Sequence, residues 1–297
     1  LGPIPAGFAA IEGVLAIDGV KATDLVEQAG ATPLFVYSAA RLRARVGELR
    51  AAMPKRLGLH YAVKANPYPP VIQLLAGLLD GLDIASGGEL AIVQAAGLDT
   101  RQVSFAGPGK RDAELEAAIA GGVTLNLESE AEAMRALAIG ERLGITPRLA
   151  IRVNPDFDLK GGGAKPFGVD AERVPALARR IIAAGVEWRG FHIFGGSQAL
   201  DAEAIIDTQA QTLALAAKLA DEAGVALPHC NLGGGMGIPY FPGDLPVDAA
   251  RVGAALGEQL AHLPEVLAET HFAMELGRYL VGEAGVYLTR IVDRKES

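Results

Sequence analysis

The sequence predicts an α/β fold of the (β/α)8 TIM-barrel type, followed by the start of a C-terminal all-β domain. Three observations carry this. Short runs of β-type residues alternate with helix-length segments from Thr32 to Glu275, the pattern of successive parallel βαβ units. Lys64, Asp83, Arg152, His192, Ser197, Gly233 to Gly235 and Glu275 fall at the C-terminal ends of many different strands. A closed barrel gathers such ends around one mouth, whereas an open doubly wound sheet spreads them along an edge. After Glu275 the alternation stops and β-type residues follow with no helix-length segment between them.

In chain order, Val14 to Ile17 reads as a strand and Lys21 to Ala29 as a short helix. Leu34 to Tyr37 is the next strand, and Ser38 is placed to cap a helix running to about Met53 with Leu42, Val46 and Leu49 on one face. Leu59 to Val63 alternates as a strand that ends on Lys64 and turns at Asn66-Pro67. Pro69-Pro70 suits the first turn of a helix. Strands then follow at 82–85, 103–106, 123–127, 148–153, 188–194, 229–232 and 272–275, with helices at 112–120, 130–143, 174–184, 202–223 and 248–263. A Gly-rich loop from Leu159 to Gly168 interrupts the rhythm. Tyr279 to Gly282 and Gly285 to Val292 have β-type composition. The expected organisation is an N-terminal segment, 1–30, packing with the C-terminal β domain, a barrel over 31–276, and the beginning of a truncated β domain at 277–297. The first residue is Leu1 and the last, Ser297, closely follows a strand-like run, so a longer polypeptide is expected.

Composition narrows the function. The 297 residues are 50% hydrophobic, enough for one large core. A net charge of −8 argues against a nucleic-acid-binding surface. No apolar run approaches the roughly 18 residues of a membrane span. The single Cys230 cannot form an intrachain disulfide and fits a reducing compartment, so the cytoplasm is expected. No residue set has metal-ligand spacing.

The chemistry-bearing residues are individually ambiguous. A lysine closing a buried strand is costly unless its amine is used neutral, as a Schiff-base nucleophile; alternatively Lys64 snorkels to the surface. Gly233-Gly234-Gly235 after a strand would let backbone approach a phosphate, or form a plain turn. Gly195-Gly196-Ser197 is a second such candidate, and Arg278 supplies a fixed cation suited to phosphate. Glu275 closes an apolar strand, where it could pair with Arg278 or hold a pyridine nitrogen protonated. Asp83 and Arg152 are one-off strand-end charges that could pair with neighbours, and His192 could be an ordinary inward-facing residue.

Taken together the motifs say more. Tyr61-Ala62-Val63-Lys64-Ala65-Asn66, Asp83-Ile84-Ala85-Ser86-Gly87-Gly88-Glu89-Leu90, Arg152-Val153-Asn154-Pro155, Lys165-Pro166-Phe167-Gly168, Gly195-Gly196-Ser197-Gln198, Gly233-Gly234-Gly235 and Glu275-Leu276-Gly277-Arg278-Tyr279 closely resemble the fold-type III pyridoxal-phosphate decarboxylases. That group includes diaminopimelate and ornithine decarboxylases. The resemblance implies an alanine-racemase-like barrel with a β domain, pyridoxal 5'-phosphate as cofactor, and a homodimer with shared sites. It implies that Lys64 carries the cofactor as a Schiff base, Glu275 pairs with the pyridine nitrogen, and Ser197, Gly234, Gly235 and Arg278 hold the phosphate. Asp83, Glu89 and Arg152 would support or contact the ring.

Departures from the pattern sharpen the expectation. Phe194 stands where the family usually has a ring-stacking histidine, while His192 lies two residues earlier. Phenylalanine can stack but cannot titrate. The segment Phe191 to Gln198 looks more like a subgroup that includes exosortase-associated decarboxylases and an enzyme acting on carrier-protein-bound glutamate. The loop from Lys160 to Lys165 is shorter than in that subgroup, which points to residues missing between Lys160 and Gly161. The expected activity is decarboxylation of an amino acid, free or carrier-bound. A racemase of the same fold is the runner-up, disfavoured because racemases resemble sites with arginine at the ring nitrogen. A non-catalytic cofactor carrier or regulator is the rival from another class; Lys64 together with Glu275 argues against it.

Overall fold

The computed structural model describes residues 4–5, 7–157 and 166–296. Eight parallel strands form its centre: β1 (Gly58–Ala62), β2 (Gly81–Ile84), β3 (Val103–Phe105), β4 (Thr124–Leu127), β5 (Arg148–Asn154), β6 (Glu187–Ile193), β7 (His229–Asn231) and β8 (His271–Leu276). β4 pairs with β5, and β8 pairs back onto β1, so the ring closes without a free edge. Val169–Asp170 adds a two-residue strand beside β5.

Strand periodicity sorts the side chains. Leu59 and Tyr61 of β1, Leu82 and Ile84 of β2, and Phe272 and Met274 of β8 are buried in one continuous apolar core. Burying each such large side chain contributes about 1.5–3 kcal/mol. Several polar residues of the strands bond to one another instead. His60 Nδ1 lies 3.1 Å from Asp83 Oδ2, and Asn126 Nδ2 donates to Ser104 Oγ at 2.6 Å. His192 Nε2 lies 3.2 Å from Glu275 Oε2. β6 and β8 are not neighbours, so this last pair spans the inside of the barrel.

The helices start where serine side chains can accept from their first-turn N–H groups. Ser38, Ser86 and Ser129 accept from Arg41, Glu89 and Glu132 at 3.0, 3.2 and 3.1 Å, each cap being worth about 1 kcal/mol. The helix Ala39–Ala52 buries Leu42, Val46 and Leu49, as its periodicity predicts.

Two segments differ from expectation. Leu34–Tyr37 is a strand, but it stays outside the barrel and pairs antiparallel with Gly285–Leu288. Its composition suits either partner, so local sequence cannot choose. Arg278–Val281 is a helical turn rather than part of a strand. Tyr279, Leu280 and Val281 are all buried, and an apolar run this short carries no periodicity to tell helix from strand. The junction of Lys160 and Gly161 lies outside the described residues. Among the described residues no helix is long and apolar enough to cross a membrane.

Candidate active site

A cavity of about 500 Å³ opens where the strands end, lined by Lys64, Phe194, Ser197, Gly235, Glu275 and Arg278. Its volume suits a small organic ligand. Six of the residues singled out from sequence therefore share one space, although they lie up to 214 positions apart by number, from Lys64 to Arg278.

Lys64 sits in a single helical turn, Val63–Ala65, directly after β1. Its side chain is exposed to the cavity, not desolvated in a buried strand end. The strand's burial stops at Val63, so the desolvation expected from sequence does not reach the amine. Lys110 offers an instructive contrast. It is 4% exposed and donates to Gly107 O, Asn126 O and Glu132 Oε1 at 2.8, 2.9 and 2.8 Å. All three ammonium protons are thus engaged in structure, whereas Lys64 faces open space.

Glu275 is 9% exposed and lines the same cavity. Burial pushes its carboxyl up, but the His192 imidazole against it, with Lys64 and Arg152 farther away, more than reverses this and holds it below the ordinary carboxylate range. The glycine turn is fixed to it from behind: Glu275 N–H donates to Gly233 O at 3.0 Å. A Cβ on Gly234 would lie 2.0 Å from the Glu275 carbonyl oxygen, so only glycine lets this turn pass against β8.

Arg278 Nη1 donates to Gln198 Oε1 at 2.8 Å, and its guanidinium lies 5.6 Å from the Tyr240 ring centre. Gln198 in turn donates to Ile238 O at 2.6 Å and holds a left-handed backbone at φ 62°. These contacts fix the cation near Ser197 and Gly235, a donor set suited to a phosphate.

Arg152 does not line the cavity. Its Nη1 donates to Glu128 Oε1 at 2.9 Å, and its guanidinium lies over Phe167 and Phe194 at 4.6 and 5.8 Å. Asp83 lies deeper still, buried with Oδ2 against His60 and Oδ1 without a hydrogen-bond partner among the described residues. Burial pushes the His60 imidazole down, and Asp83 more than offsets it, so its pKa is raised. Gly233 and His192 likewise stand behind the lining and shape it. Glu89 accepts from Ala85 N–H at 2.8 Å; burial raises its pKa against that bond and the nearby Lys64 charge.

Sequence reasoning missed three supporting residues. His60 escaped because its partner Asp83 is on another strand. Glu128, the acceptor for Arg152, Gly107 N–H at 2.6 Å and Gly168 N–H at 2.7 Å, reads locally as a residue between strand and helix. Gln198 was visible in Gly195-Gly196-Ser197-Gln198 but had no evident task until Arg278 was placed beside it.

Comparison with known proteins agrees with this chemistry. Residues 39–282 match the family described as pyridoxal-dependent decarboxylase, pyridoxal binding domain. The chain is 30% identical over 275 residues to the L-glutamyl-[BtrI acyl-carrier protein] decarboxylase of Niallia circulans, covering 90% of this chain and 64% of that protein. It is 36% identical over 274 residues to the diaminopimelate decarboxylase of Neisseria meningitidis serogroup A, covering 89% and 66%. The crystal structure of diaminopimelate decarboxylase from M. jannaschii in complex with L-lysine superposes with a TM-score of 0.85 at 27% identity, covering 98% of this chain and 71% of the other. The chain thus spans roughly two thirds of the length of the curated relatives it matches.

Proposed function

The chain belongs to the pyridoxal-dependent decarboxylase family, and on that premise we propose that its cavity decarboxylates an α-amino acid with pyridoxal phosphate held at Lys64. One observation carries the reading: Lys64 and the buried Glu275, held 3.2 Å from His192, line the same cavity. The donor set fits the cofactor group by group. The Lys64 amine suits its aldehyde, Glu275 its ring nitrogen, the flat Phe194 side chain its ring face, and Ser197, Gly235 and Arg278 its phosphate, with Gly234 behind them in the same glycine turn. Bound there, pyridoxal phosphate supplies a carbonyl that captures amines and a protonated ring that accepts the electrons left by departing CO2.

The chain's own residues prepare that chemistry. Glu275 stays ionised at working pH, so it favours a proton on a ring nitrogen facing it. His192 fixes the carboxylate's orientation from inside the barrel, at 3.2 Å. Glu128 and the two phenylalanines restrain Arg152 beside the cavity. Ser197, Gly235 and Arg278 anchor an anionic group at one end, which orients the remainder toward Lys64. A carboxylate at the ring-nitrogen position favours decarboxylation over racemisation.

The substrate reading has two arms. Diaminopimelate decarboxylases among the relatives favour a free amino acid with a distal amine. The relative acting on a carrier-bound glutamyl group, together with the Phe194 variant, favours a carrier-bound substrate. The reading includes a cytoplasmic homodimer with shared sites; exposed Phe35 and Tyr287, with ring centres 4.6 Å apart, give it apolar surface to cover.

The test is chemical. Borohydride reduction of the cofactor-loaded protein, followed by peptide mapping, should place the label on Lys64. A label on Lys110 or Lys165 would remove Lys64 from its role. A CO2-release screen with lysine, diaminopimelate, ornithine, arginine and a carrier-bound glutamyl thioester should give one strong signal. Labelled Lys64 with no release from any of these would overturn the decarboxylation reading.

A further inference from the structure

A second cavity lies at the opposite, N-terminal end of the barrel, with a volume of about 450 Å³. Its lining includes the cations Arg50, Lys55, Arg56, Arg101 and Arg189, with His229 and His271 beside them and Asp80 as its one carboxylate among the described residues. Asp80 already pairs with Arg50 at 2.6 Å. Such a concentration of cations is out of character for a chain whose net charge is −8.

Backbone geometry aims one of these cations. The register of β6 against β5 slips between Trp188 and Gly190, leaving Arg189 as the extra residue of a bulge. Bulges re-aim side chains and are frequent at barrel rims. Gly190 makes this one possible: its φ is 87°, and a Cβ would lie 1.9 Å from His229 O. The bulge therefore brings Arg189 beside the start of β7, where His229 stands, with the His271 ring 5.4 Å from that of His229.

The local charges do not balance. Glu187 faces three guanidiniums, with Arg148 Nε at 3.0 Å, Arg189 Nη1 at 3.3 Å and Arg101 Nη2 at 3.8 Å. Arg189 Nε is buried with no hydrogen-bond partner among the described residues. Arg56 donates to two carbonyl oxygens, Leu260 O at 3.5 Å and Thr270 O at 3.4 Å. The His229 imidazole registers the excess: burial, then Arg189, His271, Arg148 and His60, push it down to about 4. Partly buried cations sharing too few acceptors are stabilised by an anion that supplies the missing ones.

We propose that this N-terminal mouth binds a small multivalent oxyanion between Arg189, His229 and His271, at a site separate from the cofactor cavity. The chemistry suits a phosphate group or a polycarboxylate equally. Bound there, the anion accepts from the accessible part of the Arg189 guanidinium and from the imidazoles, and it favours protonated His229.

The experiment uses the cofactor-loaded full chain, so that the phosphate position near Arg278 is filled. Inorganic phosphate and citrate are titrated separately at constant ionic strength set with chloride, and the imidazole resonances of His229 and His271 are followed by NMR. Either anion should shift both residues saturably and raise the His229 midpoint above about 4. Phosphate alone identifies a phosphate group as the ligand class; citrate alone identifies a polycarboxylate. Arg189→Met should weaken binding at least about tenfold, the loss expected for a charged hydrogen bond. His271→Asn, at an exposed position, should weaken it as well and serves if Arg189→Met does not fold. The absence of saturable shifts with both anions, or equal affinity in the wild type and the variants, would overturn the proposal.

Discussion

The two mouths of this barrel use charge in opposite ways. At the C-terminal mouth the buried charges around the cavity have bonded partners: Glu275 with His192, and Arg152 with Glu128. The cations exposed to the cavity, Lys64 and Arg278, face a space suited to an aldehyde and a phosphate. At the N-terminal mouth three guanidiniums share Glu187, and one of their N–H groups is buried without a partner. A barrel can concentrate charge at either end. Catalysis favours the end where each charge is held in one place, because preorganised groups need no rearrangement when the reaction occurs.

The sharpest test of this contrast substitutes one carboxylate at each mouth. Glu128→Gln removes the partner of a mostly buried Arg152, and the side chains of the pair are only 3% and 11% exposed. Leaving such a charge uncompensated should cost about 3–5 kcal/mol of folding stability. Glu187 is 40% exposed and screened by water, and the buried Arg148 keeps its bonds to Arg101 O and Gly122 O at 2.8 and 2.6 Å without it. Glu187→Gln should therefore cost no more than about 1 kcal/mol. Urea unfolding of both variants would measure the difference, and equal losses would erase the distinction between the mouths.

The same contrast explains what could be read from sequence. The strands and helices of the barrel were legible because their periodicities are local, as with Leu42, Val46 and Leu49 or the alternation of Leu59 and Tyr61. Lys64, Ser197, Glu275 and Arg278 were legible because each stands in a motif at a strand end. Their supports were not. His60 with Asp83, and Glu128 with Arg152, are pairs across strands, and only closure of the ring makes them neighbours. Lys64 shows the limit in reverse: its strand is buried, yet its amine is exposed, because the chain turns at Val63 before the side chain can be enclosed. Nothing in the local sequence marks Arg189 as a bulge residue; Gly190 is one glycine among 37.

The second prediction concerns catalytic charge at the C-terminal mouth. Glu275→Gln preserves shape and the chance of a bond to His192 but removes the negative charge. kcat should fall on the order of 100-fold or more, about 2.7 kcal/mol in the barrier, while cofactor affinity changes far less. Steady-state kinetics beside a cofactor titration would separate the two. An unchanged kcat would show that this ionised carboxylate has no part in the chemistry, and the C-terminal mouth would lose its claim to be the prepared one.

The smallest expected effect belongs to the N-terminal mouth and is a matter of pH. His229 is held at about 4, well below the ordinary histidine value of 6.5, by burial and by the cations around it. The unfolded chain therefore takes up a proton near pH 6.5 that the folded chain refuses until about pH 4. Stability consequently falls as pH drops through that window. His60 has the opposite sign: its pKa is raised, so its contribution is present below 6.5 and is lost as pH rises through the folded value. Because His229 is only half-buried, solvent screening limits its share to about 1 kcal/mol or less. His229→Asn should accordingly lose less stability than the wild type between pH 7 and pH 4.5, with both measured by urea unfolding at low ionic strength. Added phosphate or citrate should flatten the wild-type slope in the same window, because an anion at Arg189 favours the protonated imidazole. A slope unaffected by the substitution would mean that the uncompensated cations of this mouth do not act on His229, and the two ends of the barrel would then differ less than their geometry implies.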